Sequence, residues 1–172
     1  MNLIGNIYKE LGQYDKAISC YKEALLIYEK LNFDDGMAIS LNNIGGIYND
    51  EGLYDEALSY YERALIIDKK LNNKQGLAAS LNNIGSLYQD LGKDDKALSY
   101  YEEAFNIEKE HSDLINIAII LNNIGSIYLK AKKYKTAEDF FSLAHFEPGL
   151  INVYSAGLEK LGRDISGKAA LK

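Results

Sequence analysis

Proline, cysteine and long apolar runs are all scarce in this 172-residue chain, and each scarcity excludes a class of structure. A single proline leaves long stretches free to form helix, because proline lacks the backbone donor that a helix needs. The one cysteine, Cys20, excludes an internal disulfide and fits a reducing compartment. No apolar run reaches about 18 residues, and residues 1–11 lack the apolar core of a signal peptide. We therefore expect no membrane span and a cytoplasmic location.

An excess of positive charge is also lacking, since 25 acidic residues outnumber 19 basic ones and the formal net charge is −6. Nucleic acids and anionic membrane surfaces are bound through basic faces, so we expect neither as a partner. The two histidines, His111 and His145, lie far apart, and no Cys/His spacing suggests a metal site. The acidic residues follow the spacing of a helix surface, and no glycine-rich loop follows a strand pattern. These absences predict no catalytic residues, no metal and no cofactor, and therefore a protein that is not an enzyme.

Internal repetition is what the sequence has in abundance. The pentapeptide Leu-Asn-Asn-Ile-Gly occurs at residues 41–45, 81–85 and 121–125, in steps of 40 residues. Such a period indicates an array of equal structural units. Further columns keep the same register: Ile4 and Gly5 with Ile44 and Gly45; Gly12, Gly52 and Gly92; Ala17, Ala57, Ala97 and Ala137; Tyr21, Tyr61, Tyr101 and Phe141; Ala24, Ala64, Ala104 and Ala144.

Each unit is predicted to be a pair of helices. In the second unit, Ala38, Leu41, Ile44 and Tyr48 recur at three- and four-residue steps, which mark one face of a helix. A turn follows at residues 49–52, whose glycine can adopt the left-handed conformation that ends a helix. The second helix is predicted to end at about residue 71, where a connection over residues 72–76 begins. Residues 35–40, before the repeated pentapeptide, are predicted to form the turn with which the first helix of the next unit begins.

Small and large residues alternate at positions that are predicted to face each other. We expect Gly45 and Ala57 to let the two helices of one hairpin approach closely. Ala64, Tyr48 and Tyr61 are expected to fill the space between neighbouring units. One hairpin cannot bury its own apolar face, so the units are expected to stack into a curved solenoid.

The sequence resembles the tetratricopeptide repeat family over roughly residues 1–148. It departs from the usual pattern in having Leu41 where Trp is common, and units of 40 residues where about 34 are usual. Longer units of this kind are similar to those of spindle-orientation adaptors, kinesin light chains and microbial signalling proteins. The resemblance implies an all-α, right-handed superhelical solenoid of antiparallel helix hairpins, with about four units and a C-terminal helix. The matching positions are Leu41, Ile44, Gly45, Tyr48, Ala57, Tyr61 and Ala64.

The register divides the chain into units at residues 1–40, 41–80, 81–120 and 121–148. The second helix of the fourth unit is expected to end early, because Pro148 disfavours helix in the residue before it. Residues 149–162 carry apolar side chains at helical spacing and are predicted to form a capping helix or a degenerate repeat helix. Residues 163–172 have little pattern and are predicted to be a disordered tail.

Asparagine pairs are the most informative polar feature of the array. The resemblance places both members of each pair on the first helix of a unit, which lines the concave groove. It further implies that Asn43, Asn83 and Asn123 hold the backbone of an extended ligand, as family members commonly do at this position. An amide offers a donor and an acceptor, which suits a peptide unit, although one Asn of each pair could instead join neighbouring units. The candidate binding residues are Asn6, Asn42, Asn43, Asn82, Asn83, Ser86, Gln89, Asn122, Asn123 and Ser126.

Apolar side chains are expected near these amides. Ile39, Ala79 and Ile119 either provide apolar pockets on the same face or are packed between helices. Some family members clamp a terminal carboxylate with Lys and Arg on their first helices. The equivalent positions here hold Asn, Gly and Ser in the middle units, which argues against that ligand.

The function predicted from these features is that of a scaffold, which binds a protein or peptide in its groove through a ladder of asparagines. One alternative is self-assembly, in which uncapped ends stack into a dimer or a fibre. Another is a docking or sensor arm of a larger signalling protein. The sequence identifies no particular partner.

Overall fold

The structure is a computed structural model, and it describes residues 1–111 and 113–145. Within that part of the chain, eight helices are joined by short turns, which confirms the predicted all-α fold. Two compact units divide the chain, residues 1–87 and 88–172, and each is treated separately below. The helices are α1 (Asn2–Glu10), α2 (Tyr14–Lys30), α3 (Asp34–Asp50), α4 (Tyr54–Leu71), α5 (Lys74–Asp90), α6 (Asp94–His111), α7 (Leu114–Lys130) and α8 (Tyr134–Ala144).

The turns between helices repeat with the sequence. Gly12, Gly52 and Gly92 follow α1, α3 and α5 with φ values of 68°, 75° and 68°, as predicted for the glycine that ends the first helix. Asn32 and Asn72 take the same left-handed conformation after α2 and α4, with φ values of 52° and 53°. Asparagine tolerates this region better than most residues, so a turn of three residues or fewer suffices at each junction.

The helical turn predicted at residues 35–40 is confirmed, whereas the connection predicted at residues 72–76 is wrong in part. The structure starts α3 at Asp34 and α5 at Lys74, so both segments lie mainly in helix. The glycines at the starts of these two helices serve close packing. A side chain at Gly36 would collide with the Phe33 and Tyr28 rings, and one at Gly76 would collide with the Asp68 carboxylate. The repeat boundaries at residues 40, 80 and 120 consequently lie inside α3, α5 and α7.

The core of the first unit joins successive helices pairwise, because α2 packs on α1 and α3, and α3 packs on α4. One cluster combines Ala17 and Tyr21 of α2 with Ile44 and Ile47 of α3, and Tyr48 packs against its edge. These side chains are shielded from water, which is the main driving force for stacking. A second cluster consists of Ala38, Leu41 and Ala64, with Leu25, Tyr60 and Ile67 packed around it.

The predicted close approach at Gly45 is confirmed. A β-carbon at this position would lie 2.7 Å from the Tyr61 ring and 3.2 Å from the Ala57 carbonyl oxygen. The expectation that this tyrosine column fills the space between units is confirmed at Tyr21, which packs against Ile44 and Ile47 of the next unit. The Tyr61 ring also lies over Gly45 of its own hairpin. The Tyr21 ring lies over Gly5 in the same way, and the Phe141 ring lies over Gly125.

The second unit repeats this packing between α7 and its neighbours α6 and α8. The Tyr128 and Phe140 rings stack with centroids 5.4 Å apart, as do those of Tyr88 and Tyr100. The helix α8 has 11 residues, whereas α4 has 18, which confirms that the second helix of the fourth unit is short. The capping helix predicted at residues 149–162 and the tail predicted at 163–172 lie outside the described residues.

Candidate partner-binding face

One exposed face of the first helices carries most of the predicted binding residues. Along α3, this face bears Ile39, Asn43 and Gly46, which follow one another at steps of four and three residues. Ile39 is 54% exposed and Ala79 and Ile119 are exposed too, so these residues are not packed between helices. We call the part of this face in the first unit the amide face. Its members are Leu3, Asn6, Ile39, Asn43, Gly46, Ala79, Asn83 and Ser86.

The first asparagine of the second repeat is engaged inside the protein. The Asn42 side-chain amide donates a hydrogen bond to the Ser80 hydroxyl at 2.9 Å, which joins α3 to α5. The Ser80 hydroxyl donates in turn to a carboxylate oxygen of Asp68 at 3.2 Å. One period earlier, the Ser40 hydroxyl donates to the Asn2 side-chain oxygen at 3.0 Å. Asn42, and Asn2 at the equivalent position, therefore each link neighbouring first helices.

The second asparagine of a pair has a different environment. Asn43 and Asn83 are half-buried, and neither side chain forms a hydrogen bond with any residue in the described part of the chain. Each amide can therefore offer two N–H donors and a carbonyl acceptor to another molecule. Gly46 and Ser86 lie three residues further along the same helices, where their small size leaves room above the face.

Three further predicted binding residues already have partners. In the first unit, the Tyr21 hydroxyl donates to the exposed Asn6 side-chain oxygen at 2.7 Å. In the second unit, the Tyr101 hydroxyl donates to the Gln89 side-chain oxygen, and the Gln89 amide donates to the Ser126 hydroxyl, both at 2.8 Å. These contacts orient Asn6, Gln89 and Ser126, so a ligand would have to share or displace them. Their role as binding residues stays a prediction.

Three candidates remain, and all of them are half-buried. Asn82 lies on α5, and Asn122 and Asn123 lie on α7. The backbone carbonyl of Asn123 accepts a hydrogen bond from the Ser126 hydroxyl at 2.7 Å. The structure therefore brings the Asn43 and Asn83 positions together on the amide face, and puts Asn122 and Asn123 on the first helix of a hairpin in the other unit. Their contact with a ligand also stays a prediction.

Asp68 is a buried acidic residue, although the sequence pattern predicted that all acids lie on helix surfaces. Asp68 is only 1% exposed, and its carboxylate accepts hydrogen bonds from Ser80 and, at 3.1 Å, from the Asn73 amide. The signal that could have found it is its column. Asp68 lies seven residues after Tyr61, which is two turns along the same buried face of the helix. Glu108 occupies the equivalent position and is buried as well.

The environment of Asp68 disfavours its charged form. Burial raises the pKa of the Asp68 carboxyl above its ordinary value, and the nearby charge of Asp35 adds to the rise. Hydrogen bonds from Ser80 and Asn73 lower the pKa in part. A raised pKa in the folded state means that the carboxylate destabilises the fold above that pKa. The cost is relieved as the pH falls through the folded pKa toward the unfolded value.

We therefore expect the substitution Asp68→Asn to have a pH-dependent effect on stability. The free energy of unfolding of the variant minus that of the wild type should be largest near neutral pH and should shrink toward about pH 4. Urea denaturation of both proteins at the two pH values measures this difference. Asp55→Asn, an exposed position on the same helix, is the control. An Asp68→Asn difference that is the same at both pH values contradicts the interpretation.

Charge on the amide face is concentrated at one end. The Lys9 ammonium lies 3.3 Å from the Asp50 carboxylate, and both side chains are partly exposed. It also lies 3.4 Å from the place that a β-carbon of Gly46 would occupy, so this lysine reaches over the floor of the face. Ile39, at the other end of the same helix face, leaves that end apolar.

Neither a metal-binding cluster nor a membrane-spanning helix is found in residues 1–111 and 113–145. No three His, Cys, Asp or Glu side chains of this part of the chain are grouped so that they could hold a metal ion. Across the same residues, no helix is both long enough and apolar enough to cross a membrane.

Known proteins share this architecture. A sequence profile described as tetratricopeptide repeat matches residues 1–70, 36–110 and 77–145. The crystal structure of BtubC (BKLC) from P. vanneervenii superposes with a TM-score of 0.70 at 26% identity, covering 83% of this chain and 59% of that one. This chain thus spans less than two thirds of the length of BtubC. No match was found among curated protein sequences.

A second solved structure is covered almost completely. It is a Podosopora anserina protein described as a kinesin light chain with nearly identical TPR-like repeats. Its TM-score is 0.64 at 16% identity, with 98% of this chain and 94% of that chain covered. A single-substitution variant of the same protein gives a TM-score of 0.63 at 15% identity, with 99% and 95% covered. These likenesses confirm the predicted solenoid of helix hairpins.

Proposed function

Because this chain belongs to the tetratricopeptide repeat family, whose repeats generally mediate protein–protein interactions, we propose that its amide face holds an extended segment of a partner protein. The repeat family is typically non-catalytic, and we propose a scaffold with no enzymatic activity. The lone Cys20 is consistent with a reducing cytoplasm as its location.

The observation that carries this proposal is the state of Asn43 and Asn83. They stand one period apart on α3 and α5, partly exposed, and their amides are not used within the described residues. A peptide unit presents one N–H and one C=O, and a side-chain amide can pair with both. Two such amides on neighbouring helices would bind main chain with little regard to its sequence. Ile39 and Ala79, exposed on the same face, would add contacts with apolar side chains.

The engaged residues have a supporting part in this proposal. Asn42 fixes α3 against α5 through Ser80, and it therefore sets the spacing between the two free amides. Gln89 and Ser126 hold one another in the second unit. We propose that the segment is held mainly through Asn43 and Asn83 of the first unit. Ligand contact at Asn82, Asn122 and Asn123 stays a prediction. A docking arm of a larger signalling protein stays a prediction from the sequence alone.

The test compares the two members of one Asn pair. A peptide selected on the wild-type chain from a phage-displayed library serves as the probe, and calorimetric titration gives its dissociation constant. Asn43→Ala and Asn83→Ala should each weaken binding about tenfold, and together about 100-fold, because each removes two hydrogen bonds that are together worth roughly 1.4 kcal/mol. Neither variant should lower the thermal midpoint by more than a small amount, since these amides have no partner in the described part of the chain.

Asn42→Ala is the matched control. It should lower the stability of the fold by about 1 kcal/mol, because it removes the bond to Ser80, and should change peptide affinity less than Asn43→Ala does. The proposal fails if Asn43→Ala and Asn83→Ala bind the peptide as well as the wild type. It also fails if both destabilise the fold as Asn42→Ala does, because the free amides would then be structural.

A further inference from the structure

The turn between α7 and α8 departs from the repeat in its charge. We define the lysine turn as Lys130, Lys132, Lys133 and Lys135. The residues equivalent to Lys130 and Lys135 are acidic in all three earlier repeats, and the residue equivalent to Lys132 is glycine in all three. These equivalents are Glu10, Asp50 and Asp90; Asp15, Asp55 and Asp95; Gly12, Gly52 and Gly92.

The lysine turn is exposed to solvent, and this exposure is a property of the turn. The Lys130 and Lys135 side chains are 61% and 79% exposed, and Lys132 and Lys133 are exposed too. The residues at the same four positions are also exposed in each of the three earlier repeats. The exposure therefore does not depend on which hairpin lies at an end of the array.

Two features of the lysine turn are unfavourable for the fold. Lys132 has a φ of 57°, in the left-handed region that glycine occupies at the three earlier turns without steric cost. Acids in the first turns of α2, α4 and α6 interact favourably with the helix dipole, whereas the first turn of α8 has no acid and contains Lys135. Local departures of this kind, which packing does not require, are concentrated at functional sites.

The lysines are only weakly engaged within the protein. The Lys135 ammonium lies 3.2 Å from the Glu138 carboxylate, and the Lys130 ammonium lies 4.0 Å from the Asp94 carboxylate. The Lys132 ammonium forms no ion pair or hydrogen bond within residues 1–111 and 113–145. Exposed ion pairs contribute little to stability, so the lysines can exchange these partners for the carboxylates of another molecule.

We propose that the lysine turn binds a short acidic segment of a different protein. Carboxylates of that segment would pair with Lys132 and Lys135, whose positive charges do not serve the fold. A long polyanion such as a nucleic acid is disfavoured, because Glu138 and Asp139 follow within the next turn of α8 and the chain has a net charge of −6. The lysine turn lies outside the columns of the amide face, so this site is independent of the proposed peptide binding.

Fluorescence anisotropy of a labelled octaglutamate peptide, titrated with the whole chain, tests the proposal. An octaglutamine peptide of the same length is the uncharged control ligand. We expect the chain to bind octaglutamate and not octaglutamine. The affinity should fall as the NaCl concentration is raised from about 0.05 M to about 0.5 M, because salt screens exposed charges.

Two substitutions restore the residue that the earlier repeats have. Lys135→Asp should weaken octaglutamate binding about tenfold or more, because it removes an attractive charge and adds a repulsive one. Lys132→Gly should weaken binding roughly threefold and should raise the thermal midpoint of unfolding, because glycine adopts the left-handed conformation without strain. Loss of affinity together with a gain in stability would show that Lys132 serves binding and not the fold.

Lys16→Glu is the matched control. Lys16 is exposed in the first turn of α2, and its substitution changes the net charge as Lys135→Asp does. It should change octaglutamate affinity less than about twofold, because it leaves the lysine turn intact. Circular dichroism establishes that all three variants remain helical.

Four outcomes overturn the proposal. One is that octaglutamate does not bind at the lower salt concentration. Another is that Lys132→Gly and Lys135→Asp bind it as well as the wild type, or that Lys16→Glu weakens binding as much as Lys135→Asp does. A third is that an oligothymidylate of the same length binds more tightly than octaglutamate and displaces it, which would assign the turn to nucleic acid. The last is a mass that grows with concentration in sedimentation velocity and is returned to the monomer by Lys135→Asp, which would identify a second copy of the chain as the partner.

Discussion

Tyr101→Ala is expected to lower the free energy of unfolding by about 3–5 kcal/mol, a larger loss than any other single substitution proposed for this chain. Tyr101 is fully buried in α6, in the column that also contains Tyr21 and Tyr61. Truncation to alanine removes the buried ring and leaves a cavity, since the surrounding helices can close only in part. Urea denaturation followed by helical circular dichroism at equilibrium measures the loss.

Tyr101→Phe separates the ring from its hydroxyl. The phenylalanine ring keeps the packing, but the hydrogen bond that the hydroxyl donates to Gln89 at 2.8 Å is lost. We expect a loss of about 1 kcal/mol, because a half-buried acceptor is left without this donor. If Tyr101→Ala cost no more than Tyr101→Phe, the ring would not be part of the core, and the proposed role of this column would be wrong.

Two adjacent glycines are expected to respond to alanine in opposite ways, and this is the second large effect. Gly45→Ala should destabilise the chain by about 1–3 kcal/mol, because the new β-carbon would lie 2.7 Å from the buried Tyr61 ring. The 3.2 Å distance to the Ala57 carbonyl oxygen leaves little freedom to move away. The gain in helix propensity from glycine to alanine is smaller than this cost.

Gly46→Ala is the matched control and should stabilise the chain by about 0.5–1 kcal/mol. Its β-carbon would meet only the Lys9 ammonium at 3.4 Å and the Tyr61 hydroxyl at 3.7 Å, which are ordinary contacts. The higher helix propensity of alanine then makes the net change in the free energy of unfolding stabilising. Thermal and urea denaturation measure the stability of each variant. Equal effects at Gly45 and Gly46 would contradict the close-packing interpretation.

Much of the candidate site could be located from sequence, but its chemistry could not be resolved there. The repeat register placed Asn42 and Asn43 on the same helix, and it allowed that one of them joins neighbouring units. Only the packed structure distinguishes them. Adjacent residues of a helix point about 100° apart, so Asn42 reaches Ser80 while Asn43 remains available to another molecule.

The structure needs its glycines for two different reasons, one local to a turn and one set by side chains of another helix. Gly52 ends a helix because of its own left-handed backbone, and that property was predictable from the turn in which it lies. Gly76 was predicted to lie in a connection, yet it lies in the first turn of α5, as Gly36 lies in the first turn of α3. Their absence of a side chain is required by Tyr28 and Asp68, which come from the preceding helices.

The sequence by itself determined the period, the helical hairpins and the columns of small and large residues. These features are repeated and depend on spacing within a single helix, so they are visible without knowing what each face meets. The tertiary structure alone decided which amides are engaged, that Asp68 is buried, and that Ile4 and Ile7 are exposed where Ile44 and Ile47 are not. The physical reason is that hydrogen bonding and burial depend on partners about one repeat away, and those partners are fixed only when the helices pack.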